Sequence, residues 1–328
     1  MRAKIPAVQA SAARRRRLHA VRALVTGGAG FIGSNVVDGL LARGDEVTVV
    51  DDLSTGKREN LEQALANGAQ LVEADIREAE ALKDVFAQAS PEVVFHLAAQ
   101  IDVRRSADDP AFDARVNVEG TINVLQAARA AGARRLVNTS TGGAIYGEAQ
   151  EIPAPESHPN APEAPYGQSK YAAEGYCELF RRLFGLSTVS LRYGNVYGPR
   201  QDPLGEAGVV AIFCGKVRSG ERPVVFGDGL QTRDYVHVSD VVAANLAAAD
   251  SDSYGPINIG TGVEASVLDI VESLAPHANA DFTPDHQAER PGEVRHIALD
   301  ASRARAELGW EPRMPLAEGL EQTLASVG

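Results

Sequence analysis

Cysteine is scarce: Cys177 and Cys214 are the only two in 328 residues. Two lone thiols supply neither a disulfide framework nor the spacing of a metal-ligand set. A reduced compartment, the cytoplasm, is therefore expected, and no metal. No run of about 18 apolar residues occurs, so no segment is expected to span a membrane. A positive balance is lacking too. The formal net charge is −12, which argues against a general binder of nucleic-acid backbones. The first 22 residues hold seven basic residues and no acidic one, so the rest carries seven more negative charges than the total, or −19. Any phosphorylated ligand must then be met by a local cationic or dipolar pocket. The arginine run 14–17 lacks the apolar stretch of a secretory signal and reads as part of a disordered, solvated extension over 1–21. Internal repeats and low-complexity stretches are absent. The 44% apolar content suffices for the core of one large domain or two ordinary ones.

What is there is an alternation of two periods. Short apolar runs predict strands at 21–26, 46–50, 71–75, 93–97, 135–139, 188–192 and 255–260. Helical patterns lie between them, from the first glycine loop to about residue 43, then at 57–66, 78–89, 109–131 and 165–184. This alternation predicts an α/β fold, a Rossmann-type doubly wound parallel sheet over 22–194 with a return segment at about 234–260. Past residue 195 the pattern loosens as Gly, Pro and charged residues become frequent. A smaller, discontinuous substrate-binding lobe over 195–328 is expected, closing over the carboxyl edge of the sheet.

Gly27, Gly30 and Gly33 stand between the first strand and the first helix. Glycines there permit a tight turn, close backbone approach to a pyrophosphate and close helix–strand packing. The helix N-terminus adds N–H donors and a positive dipole end. Asp51 closes the second strand 18 residues after Gly33. A carboxylate there accepts hydrogen bonds from an adenosine ribose and repels a 2′-phosphate, which favours NAD over NADP. No Arg directly follows that strand; Lys57 and Arg58 come several residues later.

Tyr166 and Lys170 are four apart on the predicted 165–184 helix and share a face. An ammonium beside a phenol favours the phenolate, a base able to take a proton from an alcohol. Working near neutrality requires a fall of roughly 3 units from a free value of about 10, or about 4 kcal/mol, which Lys170 and the positive charge of a nicotinamide would supply between them. Pro165 suits the first turn of that helix and places Tyr166 at its exposed start. Loop and base together point to redox chemistry on a carbon bearing a hydroxyl.

The motifs resemble those of the extended short-chain dehydrogenases, the NAD-dependent nucleotide-sugar epimerases and dehydratases. They are Thr26-Gly27-Gly28-Ala29-Gly30-Phe31-Ile32-Gly33, Asp51-Asp52-Leu53-Ser54-Thr55-Gly56, His96-Leu97-Ala98-Ala99-Gln100, Tyr166-x-x-x-Lys170, Arg192-Tyr193-Gly194-Asn195-Val196-Tyr197-Gly198-Pro199-Arg200 and Thr232-Arg233-Asp234-Tyr235-Val236-His237-Val238. The likeness runs in one order from about residue 22 to 320. It implies that Gly27, Gly30, Phe31, Ile32, Gly33 and the stretch Asp51, Asp52, Leu53, Ser54, Thr55 and Gly56 hold NAD. It places Asp75 and Ile76 at the adenine. Leu97, Ala98, Ala99 and Gln100 would lie along the cofactor path with Asn117 nearby, Gly194 near the nicotinamide, and Lys170 at its ribose. Asn195, Arg233 and Arg290 would hold a nucleotide-sugar diphosphate, since guanidinium forks suit phosphate oxygens. Val209 and Phe226 would touch the nucleotide base, and Glu293 would join the substrate set.

In such an enzyme Tyr166 removes the C4 hydroxyl proton of a UDP-hexose while hydride leaves C4. The 4-keto sugar turns and takes the hydride back on its other face. The family places a Ser or Thr at the end of the fifth strand. Alignment on the strand gives Thr141, alignment back from Tyr146-Gly147 gives Gly142, and Ser140 is a possible partner; the strand sets a hydroxyl's position, so Thr141 is preferred. Dehydratases and decarboxylases of the family carry acids just after that residue, because elimination needs them. Here stand Gly142, Gly143 and Ala144, so a 4-epimerase is expected. A dehydratase, a net-redox dehydrogenase and a non-catalytic NAD sensor are the alternatives. Ile297, where some members carry a bulky Tyr, suggests tolerance of N-acetylated sugars. A homodimer is expected by family likeness, and neither nucleic acid nor membrane as partner.

Overall fold

The computed structural model describes residues 20–203, 208–289 and 294–327. The arginine run 14–17 and the expected ligands Arg290 and Glu293 lie outside the described residues. The strands are β1 (Arg22–Thr26), β2 (Glu46–Asp51), β3 (Gln70–Glu73), β4 (Val93–His96), β5 (Arg135–Thr141), β6 (Ser187–Tyr193), β7 (Asn195–Tyr197), β8 (Val224–Phe226), β9 (Thr232–Arg233), β10 (Tyr235–His237), β11 (Gly255–Ile259), β12 (Ala265–Ser266) and β13 (Asp285–Gln287). The helices are α1 (Phe31–Ala42), α2 (Glu62–Ala66), α3 (Ala79–Ala89), α4 (Val103–Asp108), α5 (Pro110–Ala114), α6 (Gly120–Ala130), α7 (Gly142–Ile145), α8 (Pro165–Phe184), α9 (Val209–Ser219), α10 (Val238–Asp250), α11 (Val267–Leu274), α12 (Ser302–Leu308) and α13 (Leu316–Ser326).

Seven parallel strands form one sheet in the order β11-β6-β5-β4-β1-β2-β3. The strands read as continuous apolar runs because helices cover both faces. Alternate residues of β1 serve different layers: Val25 packs with Val36, Val37 and Leu40 of α1 and Val241, Ala244 and Ala248 of α10. Leu24 packs with Leu82 and Phe86 of α3, Val124 and Leu125 of α6, and Phe180 of α8. The chain reverses its direction of winding between β1 and β4. The crevice at their carboxyl ends is where ligands bind in sheets of this kind.

The strands and the 165–184 helix fall where the periodicity predicts them. The single helix expected over 109–131 is interrupted: a π-helical turn, Arg115–Glu119, joins α5 to α6. Such turns often mark functional sites. Past residue 195 five further helices appear, of which the loosened pattern hid α9 and α10. In α10 the cause is packing on two sides, against β5 and against α1, where a Cβ on Gly39 would lie 2.6 Å from Val242. A helix covered on two sides has no strong polar face. The C-terminal lobe has its own core, with Tyr197, Phe213, Cys214, Val225, Tyr235, Ile270 and Leu274. Ala301, Ala304 and Trp310 pack instead into the sheet's α1 layer. Among the described residues no helix is long and apolar enough to cross a membrane, and no cluster of three or more His, Cys, Asp or Glu could hold a metal ion.

Candidate active site

The glycine loop joins the end of β1 to the start of α1. Gly27 has φ +70°, and a Cβ there would lie 2.5 Å from the Ala98 nitrogen. A Cβ on Gly33 would lie 2.1 Å from the Gly27 oxygen, so helix and loop touch backbone to backbone. Position 30 is roomier, at 3.3 Å from the same oxygen. Gly30 caps α1 without a side-chain hydrogen bond, and no acid stands in the first turn. The first-turn N–H groups and positive dipole end are left for an anion, as a dinucleotide pyrophosphate requires. Phe31 and Ile32 open the helix, half-buried, beside this cradle.

Asp51 is buried at the tip of β2 and accepts from Ala29 N at 2.8 Å and Leu53 N at 2.9 Å. Burial raises its pKa, and the two backbone donors work against that rise. A Cβ on Gly56 would lie 2.6 Å from Asp51 Oδ1, so Gly56 keeps the loop closed around the carboxylate. Asp52 caps Ser54, accepting from its N and Oγ, and Thr55 follows exposed. Lys57 pairs with Asp202 at 2.6 Å and so is committed away from a 2′-phosphate. Asp75 carries Arg77 on its carboxylate. Ile76 is buried against Gly120.

Leu97 N bonds Thr26 O at 3.0 Å, which aligns Leu97, Ala98 and Ala99 along the crevice. The side chains of Gln100 and Asn117 are engaged with the protein. Asn117 Oδ1 accepts from Gln100 N and its Nδ2 donates to Gln100 O, both at 2.9 Å. His96 is buried between Thr26 Oγ1 at 2.7 Å and Thr121 Oγ1 at 3.0 Å. Thr121 donates to Asn117 O, so it accepts from His96 Nε2–H and leaves Nδ1 to accept from Thr26. Burial, then the Lys170 charge, push His96 down to about 3, so it stays neutral.

The proposed catalytic groups come from two elements. Helix α8 starts with Pro165 at N1 and ends at Gly185, φ +72°. A Cβ on Gly167 would lie 2.3 Å from Ala144 O, so α8 begins in contact with α7, just after Thr141. Ser106 Oγ accepts from Tyr166 N at 3.1 Å. Lys170 Nζ donates to Thr139 O at 2.8 Å, linking the lysine to β5. Burial pushes the Lys170 ammonium down to about 8, while Asp113, Cys177 and Glu174 oppose the fall. Burial raises the Tyr166 phenol to about 12, and Asp113 adds to the rise. The protein alone therefore does not lower the Tyr166 phenol, and the nicotinamide charge is the part of the expected fall that its own residues leave out. Ser140 faces the other side of β5 and donates to Glu174 Oε1 at 2.6 Å.

A Cβ on Gly143 would lie 3.4 Å from Asn195 Oδ1 and 4.0 Å from Thr141 Oγ1, so these two side chains share one corner of the crevice. A Cβ on Gly142 would lie 2.5 Å from Leu299, which is fully buried. Gly194 lets β6 run within contact of Asp234, whose carbonyl accepts from Asn195 N at 2.7 Å. The Asp234 carboxylate is turned away from Arg233. It is buried and accepts from Thr261 N and Oγ1, Gly262 N and Leu299 N. Arg233 is half-buried and donates to its neighbour Thr232 O at 2.7 Å. Val209 opens α9 and Phe226 ends β8, both half-buried. Ile297 is 2% exposed and packs with Tyr146, Ala154 and Leu299, so its side chain belongs to a core.

Sequence reasoning passed over Ser106, Asp113 and Glu174, and gave Arg192 no role beyond its place in a motif. The signal of the first three is a polar residue within a helical pattern.

The comparisons with known proteins agree with one another. The profile of the NAD dependent epimerase/dehydratase family matches residues 23–260. A UDP-glucose 4-epimerase of Mycolicibacterium smegmatis is 48% identical over 306 residues, 93% of this chain and 97% of its own. The crystal structure of UDP-glucose 4-epimerase from Thermotoga maritima, with UDP-glucose, superposes with a TM-score of 0.90 at 46% identity, covering 93% of this chain and 97% of that one. The UDP-glucose 4-epimerase of Thermus thermophilus, in complex with NAD, gives 0.86 at 42% identity over 93% and 98%. The chain belongs to the NAD-dependent epimerase/dehydratase family.

Proposed function

We propose that this protein inverts C4 of a UDP-hexose of the UDP-glucose/UDP-galactose type through a transient 4-keto sugar. The 27–33 loop and Asp51 would hold NAD, which would supply a hydride acceptor and a positive charge beside the base. Tyr166 takes the C4 hydroxyl proton and gives it back after the sugar has turned. Lys170 keeps a cation under that exchange from its anchor on Thr139 O. Thr141 hydrogen-bonds the reacting oxygen, and Asn195 and Arg233 hold the diphosphate, with Arg290 and Glu293 of the sequence completing the set.

One observation favours epimerisation over elimination. The positions that follow Thr141 carry no carboxylate, and Leu299 fills the space beside Gly142 where one would project. With no acid to protonate a departing hydroxyl, elimination lacks a catalyst and re-reduction of the ketone is the default.

The experiment is mass spectrometry of the denatured protein for retained NAD, with NMR of UDP-glucose and UDP-GlcNAc after incubation. The expected result is bound NAD and conversion of UDP-glucose without net NADH. Net NADH, or a 4-keto-6-deoxy product, would overturn the reading. No turnover of UDP-GlcNAc would exclude the N-acetyl tolerance. Tyr166→Phe is expected to lower kcat at least about 100-fold; full activity would refute the mechanism.

A homodimer is part of the proposal. Helix α8 leaves Tyr171, Leu183 and Phe184 exposed, with Arg129 of α6 stacked over Phe184 at 3.9 Å. A second copy packed on α6 and α8 would cover part of this exposed apolar surface, and light scattering would read the mass. The two buried free thiols suit a cytoplasmic setting, which cell fractionation would test.

A further inference from the structure

The chain leaves β7 at Tyr197 and enters α9 at Val209, and the first residues between them lie against the cofactor cradle. Gly198 turns the chain with φ +141°, where a Cβ would lie 2.7 Å from Val238 Cγ1. Pro199 O then accepts from Asn35 Nδ2 at 3.2 Å, and the same amide donates to Phe31 O at 2.9 Å. Arg200 Nη2 meets Asp38 Oδ2 at 2.5 Å. Phe31, Asn35 and Asp38 are spaced by four and three, so they share one face of α1, and the segment runs along it from the helix start. Gln201 ties back to β7, its Nε2 donating to Val196 O at 3.2 Å. Asp202 Oδ2 meets Lys57 Nζ at 2.6 Å. Lys57 belongs to the other wall of the cradle: its N–H donates to Ala29 O at 3.0 Å, and Gly56 before it closes around Asp51. Pro203 then reaches the C-terminal lobe, where a Cβ on Gly215 of α9 would lie 3.3 Å from Pro203 Cβ. Arg200 has φ +74°. A residue with a side chain is strained in that conformation, so contacts on either side impose it.

We infer that residues 198–203 are a retaining strap for NAD, clasped to α1 by Arg200–Asp38 and to the loop after β2 by Lys57–Asp202, and that these two ion pairs set how long the cofactor stays bound. The strap joins both walls of the cradle, so the cradle cannot widen without parting one clasp. The proposed reaction gives this a use. Hydride leaves and returns within one turnover, so the cofactor never needs to exchange, and slow escape keeps the enzyme loaded. Both clasps are partly exposed, with the Arg200 side chain at 29% and the Lys57 side chain at 53%. Salt therefore screens them, and each contributes modestly.

The strap rests on the reading of the 27–33 loop and Asp51 as the seat of NAD, but its test follows bound nucleotide and needs no turnover. Full-length protein loaded with carbon-14 NAD is mixed with excess unlabelled NAD, and the label left on the protein is followed by filtration. Arg200→Gln and Lys57→Gln should each speed the loss of label about threefold to fivefold, and the double variant roughly tenfold. Raising the ionic strength from about 0.05 to about 0.5 M should speed release from the wild type more than from the double variant. Asp38→Arg with Arg200→Asp, which rebuilds the clasp in reverse, should recover most of the wild-type retention. A double variant that releases label within about twofold of the wild type overturns the strap, as does an equal response of the two to salt. A lowered unfolding midpoint with unchanged release would mark pairs that serve stability alone, and overturns it as well. Should the Arg200 variants not fold, Asp38→Asn opens the same clasp from a partly exposed position on α1, and release at the wild-type rate again overturns the strap. A protein that takes up no labelled NAD overturns strap and cradle together. One that holds NAD without inverting C4 would sink the proposed reaction and leave the release measurement standing, so the two readings fail separately.

Discussion

Arg192→Met should be among the most destabilising single changes in this chain. Arg192 and Glu174 have side chains only 2% and 7% exposed. Two contacts join them, Nε to Oε1 at 2.9 Å and Nη2 to Oε2 at 2.6 Å, and Nη1 donates to Tyr146 OH at 2.9 Å. Burial lowers the Arg192 pKa, but Glu174 outweighs it and holds the guanidinium above its ordinary value. Without the arginine, the Glu174 carboxylate keeps the Ser140 hydroxyl as its one hydrogen-bond partner among the described residues. Breaking a buried pair from one side costs about 3–5 kcal/mol, chiefly because the remaining charge is uncompensated. Removing both partners, as Arg192→Met with Glu174→Leu, should return the loss to about 1–2 kcal/mol. Urea unfolding can be followed by the fluorescence of Trp310, the one tryptophan, which packs in the α1 layer of the sheet. The double-mutant cycle then isolates the coupling. A single-variant loss below about 1 kcal/mol, or a double variant as unstable as the sum of its parts, would refute the reasoning. The same pair bridges Ser140, which precedes Thr141, to the helix that carries Lys170. A defect in stability should therefore come with a fall in kcat.

Two further outcomes follow from distances and charge. Gly33→Ala puts a methyl 2.1 Å from a backbone oxygen, so α1 must shift, at about 1–3 kcal/mol. NAD retained per chain should fall well below that of Gly30→Ala, whose added methyl lies at 3.3 Å; equal retention would contradict the cradle. Lys170 has a folded pKa of about 8 against an ordinary 10.5, so its charged form is disfavoured in the fold. Below about 8 both states are protonated and the full penalty applies. Stability should rise with pH between about 8 and 10.5, where only the unfolded chain keeps the proton, by about 3 kcal/mol. Urea melts of Lys170→Met, which lacks the group, should show this rise missing; a parallel pH dependence would refute it.

The Rossmann half was legible because its information is local. A strand buried on both faces is a contiguous apolar run, and the glycine loop and Asp51 lie next to the strands that place them. The C-terminal half resisted for the opposite reason. Apart from β11 its strands are two or three residues long, and α10 is covered on two sides, so neither period stands out. The π-helical turn inside 109–131 left no mark on the hydrophobic pattern at all. Its consequence, the clamp of Asn117 on Gln100, joins residues that only the fold brings together. Ile297 shows the converse. A position that family likeness places at the sugar is closed over by Tyr146, Ala154 and Leu299.

The same division runs through the chemistry of the base. Spacing on a helix brings Tyr166 and Lys170 together, and spacing alone suggests that the ammonium makes the phenol acidic. Spacing carries no information about burial, and burial is the larger effect on both groups. It lifts Tyr166 to about 12 and lowers Lys170 to about 8. Asp113, from a helix far upstream, then lifts both. Left to its own residues, the protein holds its base protonated. Ionising the phenol near neutrality needs a fall of several units, more than the roughly 3 that an exposed tyrosine requires. The lysine is already at its anchor, so the missing positive charge must arrive with a ligand. In a family built on NAD, the oxidised cofactor is the ligand that brings one. On the proposed mechanism Tyr166 would become a base only with a hydride acceptor already bound, and a sugar that entered without one would keep its proton.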